Sequence, residues 1–277
     1  MSYDETERLR WADGAEAYAR TFGPFCAGAA DDLLDAAGVG EGTVMLDVGT
    51  GTGTVAALAT GRGARVTAGD AEPSMVAATA ARLPEADVRQ AILPGLPFPD
   101  ATFDAVVANF VVNHVGDPAA TVAALRNAAR PGGRVAVTIW PHPAPIAQSL
   151  WTMVYRHAGV EVSGLIGVDP AKNFPRTVEG AVDLLTAAGL EGVTCERIEW
   201  IHETTPEAWW GGAAAGLNAT GTVLRRQTPA VREHIRASFD AVAAEFRTED
   251  GLLRLPTAAL VAQGRREVET GATLTLK

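Results

Sequence analysis

The stretch Val44-Met45-Leu46-Asp47-Val48-Gly49-Thr50-Gly51-Thr52-Gly53 constrains this chain more than any other. A short apolar run carrying one aspartate gives way to glycine at every second position, then to an alanine-rich segment. That order predicts a buried strand entering a helix through a tight loop. Glycine accepts the left-handed turns of such a loop, and the missing Cβ atoms let a ligand approach the backbone. The N–H groups that open the next helix are then expected to face whatever lies above the loop. One ligand class with this signature is a dinucleotide: Gly51-x-Gly53-x-x-Ala56 fits its fingerprint, with Asp70 nineteen residues after Gly51.

Composition narrows the partners. The formal net charge is −10, and the adjacent basic pairs are Arg225-Arg226 and Arg265-Arg266 alone, so no concentrated basic face is available for a phosphate backbone. A small molecule is the expected partner, with no nucleic acid. No apolar run approaches the roughly 20 residues that span a bilayer. The charge-rich start (Asp4, Glu5, Glu7, Arg8, Arg10) lacks the apolar stretch of a secretion signal. Cys26 and Cys195 stand far apart in neither metal-type nor redox-type spacing, so no metal site and a cytoplasmic location are expected. At 277 residues the chain can bury a large core.

Strands and helices alternate along the first half. Residues 1–38 read as helical, with Phe25, Ala29, Leu33-Leu34 and Ala37 on one face, stopped by Gly38 and Gly40. Strands are predicted at 44–48, 65–70, 86–92, 104–109 and 134–140. The second ends on Asp70, placed to accept both ribose hydroxyls of an adenosine. Glu72-Pro73-Ser74 opens a helix with Met75 one turn inside. After Trp140 the alternation breaks. Two further strands are predicted at 193–202 and 254–263, with helices over about 204–250 between them. Thr205-Pro206 and Thr228-Pro229 start those helices, and Val231, Ile235, Phe239, Val242 and Phe246 follow the second at helical spacing.

Asp47, Gly49, Gly51 and Gly53 fill the first motif of the class I S-adenosylmethionine-dependent methyltransferases. The segment Leu96-Pro97-Phe98-Pro99-Asp100-Ala101-Thr102-Phe103-Asp104-Ala105-Val106-Val107 resembles the one before the fourth strand in small-molecule members of that family. The dinucleotide fingerprint has no counterpart to it. Arg130-Pro131-Gly132-Gly133 is similar to the turn before their fifth strand. The resemblance implies a Rossmann-like α/β fold: a seven-stranded, mostly parallel sheet with an antiparallel last strand, plus helical caps. It implies one domain over 1–277, with a cap at 1–38 and a lid insertion at about 204–250. It also implies S-adenosyl-L-methionine as cofactor and methyl transfer, without a metal, to O, N or C of a small acceptor.

Carried over residue by residue, the cofactor contacts are Asp47, Gly49, Thr50, Gly51, Gly53, Asp70, Ala71, Met75, Ala91, Ile92, Leu93, Asn109 and Phe110, with Tyr18 reaching over from the N-terminal helices (Trp11 and Phe22 being alternatives). Ile92 stands where the family usually carries an acid for the adenine amino group, so backbone groups around Ala91–Leu93 are expected to take that role. His114 is the candidate base. Trp140, Trp151, Trp209 and Trp210 are candidate walls for the acceptor, although each is equally suited to core packing. Two other readings stay open at this point: a methyltransferase-like cyclase or binder that moves no methyl group, and a nicotinamide-dependent oxidoreductase.

Overall fold

In the computed structural model, which describes residues 2–268, the run at 44–48 lies near the centre of one seven-stranded sheet. The strands are β1 (Val44–Val48), β2 (Arg65–Asp70), β3 (Asp87–Gln90), β4 (Phe103–Asn109), β5 (Ala129–Ile139), β6 (Leu190–Thr204) and β7 (Leu253–Arg266), in the order β3-β2-β1-β4-β5-β7-β6. The first five pair in parallel, and β7 runs against both its neighbours. Strand order reverses between β1 and β4, so their carboxyl ends frame the crevice in which doubly wound sheets bind ligands.

The residues explain the layering. Four short helices, α1 (Tyr3–Trp11), α2 (Ala15–Arg20), α3 (Phe22–Ala27) and α4 (Ala30–Ala36), precede the sheet. Next come α5 (Thr54–Gly61), α6 (Pro73–Arg82) and α7 (Pro118–Ala128). After β5 come α8 (Ile146–His157) and α9 (Val178–Ala187), and between β6 and β7 lie α10 (Pro206–Ala214), α11 (Asn218–Arg225) and α12 (Pro229–Ala243). Adjacent residues of β1 serve opposite faces: Met45 packs with Leu33, Leu34 and Val55, and Leu46 with Val106, Leu125 and Val137. A strand covered on both sides must read as continuous apolar sequence. A third cluster, including Phe25, Leu150, Trp151, Trp209, Ile235 and Phe239, joins α3, α8, α10 and α12 into the cap. None of the described helices is long and apolar enough to cross a membrane.

Several predicted strand boundaries shift, those of β3 and β5 among them. β3 is shorter than 86–92: Ala91 still donates to the Asp70 carbonyl, but Ile92 folds back to bridge Gly95. β5 begins at Ala129, not Arg134. Pairing passes from Phe103–Ala129 to Ala105–Arg134, so the Arg130–Gly133 turn is a bulge inside a paired strand, with Gly132 at φ +77°. The helical segment predicted over 1–38 is four short helices. The part of the expected domain beyond Val268 lies outside the described residues.

Gly49 shows what the loop requires. Its φ is +69°, and a Cβ there would lie 2.3 Å from Val111 Cγ2. Gly49→Ala should therefore destabilise the fold by about 1–3 kcal/mol, from left-handed strain and overlap together. Urea unfolding that gave an unchanged midpoint would contradict this.

Candidate active site

A cavity of about 540 Å³ opens at the carboxyl ends of β1, β2 and β4 and continues to the helical cap. That is within the size range of small-molecule sites. At one end it is lined by Gly49, Gly51, Asp70, Ala71, Met75, Ala91, Ile92 and Leu93. At the other it is lined by Trp140, Gln148, Trp151 and Trp209. Asn109, Phe110 and His114 lie on the lining, and Tyr3, Glu7, Arg10, Trp11 and Tyr18 reach it from α1 and α2.

The amides of the glycine loop itself are engaged by the protein. Gly49 and Thr50 both donate to the Gly69 carbonyl, at 2.7 and 3.0 Å. Gly51 donates to Asp70 Oδ2 at 2.8 Å, and Gly53 donates to the Thr50 carbonyl. The positive-φ glycines turn these N–H groups back towards the protein. A pyrophosphate needs such amides free. Beneath the loop lie two carboxyls instead, the buried Asp47 and the partly buried Asp70. Asp47 is fully buried, and Thr50 Oγ1 donates to its Oδ2 while Oδ1 has no partner among the described residues. Burial, aided by the charge on Asp70, pushes Asp47 up to about 7. Asp70 Oδ1 accepts the Glu72 N–H at 3.0 Å, and burial is the main force pushing this carboxyl up to about 6. The site suits a cation better than an anion.

Asp47 and Thr50 lie behind this cavity, against a smaller pocket that Tyr18 and Asn109 also line. Gly53 is the N-cap of α5 and faces Thr79, away from the main lining. Tyr18 rests on the loop itself, its Cε1 3.0 Å from where a Cβ on Gly51 would be. Ile92 is 41% exposed, so no buried side chain occupies its position.

At β4 the chain turns through Phe110 at φ +56°. A relay holds it there: the Phe110 N–H donates to Thr138 Oγ1 (2.7 Å), whose hydroxyl donates to Asn109 Oδ1 (2.6 Å), while Asn109 Nδ2 donates to the Cys26 carbonyl. The Phe110 ring stacks on Trp140 at 3.5 Å between centroids, and Trp140 also stacks on Phe25 at 4.9 Å. Its faces are thus used by the protein, leaving an edge to the cavity. Trp151 and Trp209 line the cavity. Trp210 does not; it packs on Trp151 and Phe239 beneath Arg236.

His114 ends a 3-10 turn (Val112–His114) and has a partner that sequence reading did not identify. Its Nδ1 lies 2.8 Å from Glu7 Oε2, and Glu7 also pairs with Arg10. Glu7 and Arg10 are buried. Burial works against the Glu7 charge, but the bond to His114 and the charge on Arg10 outweigh it and hold the carboxyl below its usual range. An ionised Glu7 can only accept, so Nδ1 carries a proton, and Nε2 is the acceptor whenever the imidazole is neutral. Among the described residues no group of three or more His, Cys, Asp or Glu could hold a metal ion.

The raised Asp70 carboxyl gives a pH test. Its folded pKa lies above the unfolded value, so its contribution to stability is full below about pH 4 and is lost as pH rises through about 6. A ligand that donates hydroxyls to this carboxylate binds the ionised form. Its affinity should fall below pH 6 by up to about tenfold per pH unit and level off above about 7. Calorimetry with S-adenosylhomocysteine across pH 5–8 reads this directly; a flat profile would contradict it.

Residues 46–137 match the family model described as a methyltransferase domain. A demethylmenaquinone methyltransferase of Renibacterium salmoninarum is 33% identical over 111 residues, 40% of this chain and 47% of that one. The chain thus spans about half the length of the curated relatives it matches. The YcgJ protein of Bacillus subtilis superposes with a TM-score of 0.54 at 18% identity, over 87% of this chain and 98% of that one. A Haemonchus contortus phosphoethanolamine N-methyltransferase, solved with phosphomonomethylethanolamine and S-adenosylhomocysteine, gives 0.53 at 16% identity, over 87% and 53%. At these identities the structural likenesses show the fold.

Proposed function

We propose that this chain, whose residues 46–137 match the methyltransferase-domain model, transfers a methyl group from S-adenosylmethionine to a small hydroxylated acceptor. One observation carries the reading: a single cavity runs from the acid-backed loop at Gly51 and Asp70 to the Glu7-supported His114.

Asp70 would accept the ribose hydroxyls, and Met75, Ile92 and Leu93 would flank the adenine. Tyr18 would close over the glycine loop, above the buried Asp47 carboxyl. The cofactor supplies a methyl group on a positively charged sulfur, which keeps the bonding pair and leaves as a neutral thioether. The protein's residues align the acceptor and exclude water, and such positioning is worth about 7–11 kcal/mol. His114 Nε2 takes the acceptor's hydroxyl proton, and Glu7 steadies the imidazolium that results. Demethylmenaquinone is the substrate in the names of several relatives, so a naphthoquinol is the first acceptor class to assay.

The test is paired. Purified protein is titrated with S-adenosylhomocysteine and with NADH, then incubated with S-adenosylmethionine and quinol acceptors while products are weighed for a gain of one CH2. Binding of the thioether with no response to NADH, followed by a methylated product, is expected. NADH binding with no response to the thioether would overturn the reading.

A further inference from the structure

Past Asp70 the cavity is walled by hydrocarbon, with Ala71, Met75, Ala91, Ile92 and Leu93 on its lining. The polar side chains that the segments after β2 and β3 bring to it are the carboxyls of Asp70 and Glu72, and the protein engages both. Asp70 accepts the Gly51 and Glu72 N–H groups, and Glu72 Oε1 accepts those of Asp13 and Ser74, each at 3.1 Å. Gln90 lies outside the lining, where its Nε2 donates to the Ala71 carbonyl at 3.0 Å. Ile92 differs from its neighbours. Met75 and Ala91 are buried, and Leu93 and Leu96 pack against the core. The Ile92 side chain is 41% exposed and joins no apolar cluster of the described residues. The chain folds back from Ile92 to Gly95, which leaves this side chain at the boundary between cavity and solvent.

Resting on the methyl-transfer reading, we infer that Ile92 makes the purine end of this site permissive. It admits sulfonium nucleosides whose 6-amino group is replaced, or carries an apolar substituent, almost as well as S-adenosylmethionine. With the ribose on Asp70 and the base over Met75, the 6-position of the purine points to Ile92, whose side chain offers an amine no acceptor. Water reaches that edge past the exposed side chain and keeps an amine hydrated. Exchanging the amine for an oxygen therefore breaks no bond to a protein side chain. A group carried on the nitrogen extends over Ile92 towards solvent and covers apolar surface that is otherwise wet. Apolar pockets discriminate by about 10–200-fold, where sites that hydrogen-bond the selected group reach about 10⁴–10⁵.

The test is calorimetry on the full chain with three ligands: S-adenosylhomocysteine, S-inosylhomocysteine and the N6-benzyl derivative of S-adenosylhomocysteine. Both analogues should bind within tenfold of the parent thioether. Ile92→Asp then places a carboxylate at the same exposed position, away from the core. This variant should bind S-adenosylhomocysteine at least as tightly and widen the gap to each analogue at least threefold. The inosine lacks the amine that the new acid receives, and the benzyl group loses its apolar contact. A gap above tenfold for either analogue in the unaltered chain, or a widening of less than threefold for either in Ile92→Asp, would overturn the inference. Those outcomes leave S-adenosylhomocysteine bound and the methyl-transfer reading intact. Failure of S-adenosylhomocysteine itself to bind would instead sink that reading, and this one with it.

Discussion

His114→Ala is expected to lower kcat by about 10²–10⁴-fold while leaving the Kd for S-adenosylhomocysteine within threefold. The imidazole lines the cavity, and Glu7 holds Nδ1 at 2.8 Å, which makes the other nitrogen the acceptor of the neutral ring. Glu7→Gln separates positioning from charge. The amide still reaches Nδ1, but it no longer offsets the charge of the imidazolium and it leaves buried Arg10 without its counter-ion. A loss of about tenfold or more in kcat, with KM nearly unchanged, is expected for Glu7→Gln. Single-turnover rates with a naphthoquinol acceptor check both variants. A kcat within threefold of the parent for His114→Ala would remove the base from the account and leave positioning alone.

Asp70→Ala should weaken S-adenosylhomocysteine binding by about 10- to 150-fold, the equivalent of about 1.5–3 kcal/mol for hydrogen bonds to a charged acceptor. Two effects combine. The ribose loses its acceptor, and the N–H groups of Gly51 and Glu72 lose theirs, so the glycine loop and the start of α6 are no longer tied to the end of β2. Asp70→Asn distinguishes them, because it keeps oxygen at the site and removes the charge. If Asn restores loop stability in thermal unfolding but not affinity, the carboxylate acts on the ligand directly. Calorimetric affinities within threefold of the parent for both variants would show that this acid does not contact the nucleoside.

The parts of the cavity lining that the sequence located are local. Gly49 and Gly51, and Asp70, Ala71 and Met75, each sit on one strand–turn–helix unit, where spacing along the chain sets spacing in space. The dense apolar runs of β1 and β4 likewise announced strands covered on both faces. Contacts between distant segments were not legible. Glu7 and Arg10 stand one helical turn apart on a charge-rich helix, a pattern that usually marks a solvated face, and nothing local shows that His114, 107 residues away, buries them. Trp140 was read as a wall for the acceptor, yet Phe25 and Phe110 occupy its faces. Trp210 follows Trp209 on α10, and one residue's rotation of about 100° takes it off the cavity. The bonds of the loop amides were illegible for a different reason. Alternating glycines fix how sharply the chain can bend, but not whether the N–H groups turn towards a ligand or towards β2.

The most direct test of the account is a crystal structure of the protein soaked with S-adenosylhomocysteine. It should show the ribose hydroxyls within hydrogen-bond distance of Asp70, the adenine between Met75 and Ile92, and the sulfur in the cavity facing the side that holds His114. A nucleoside bound elsewhere on the molecule, or one whose sulfur faces away from His114, would contradict it.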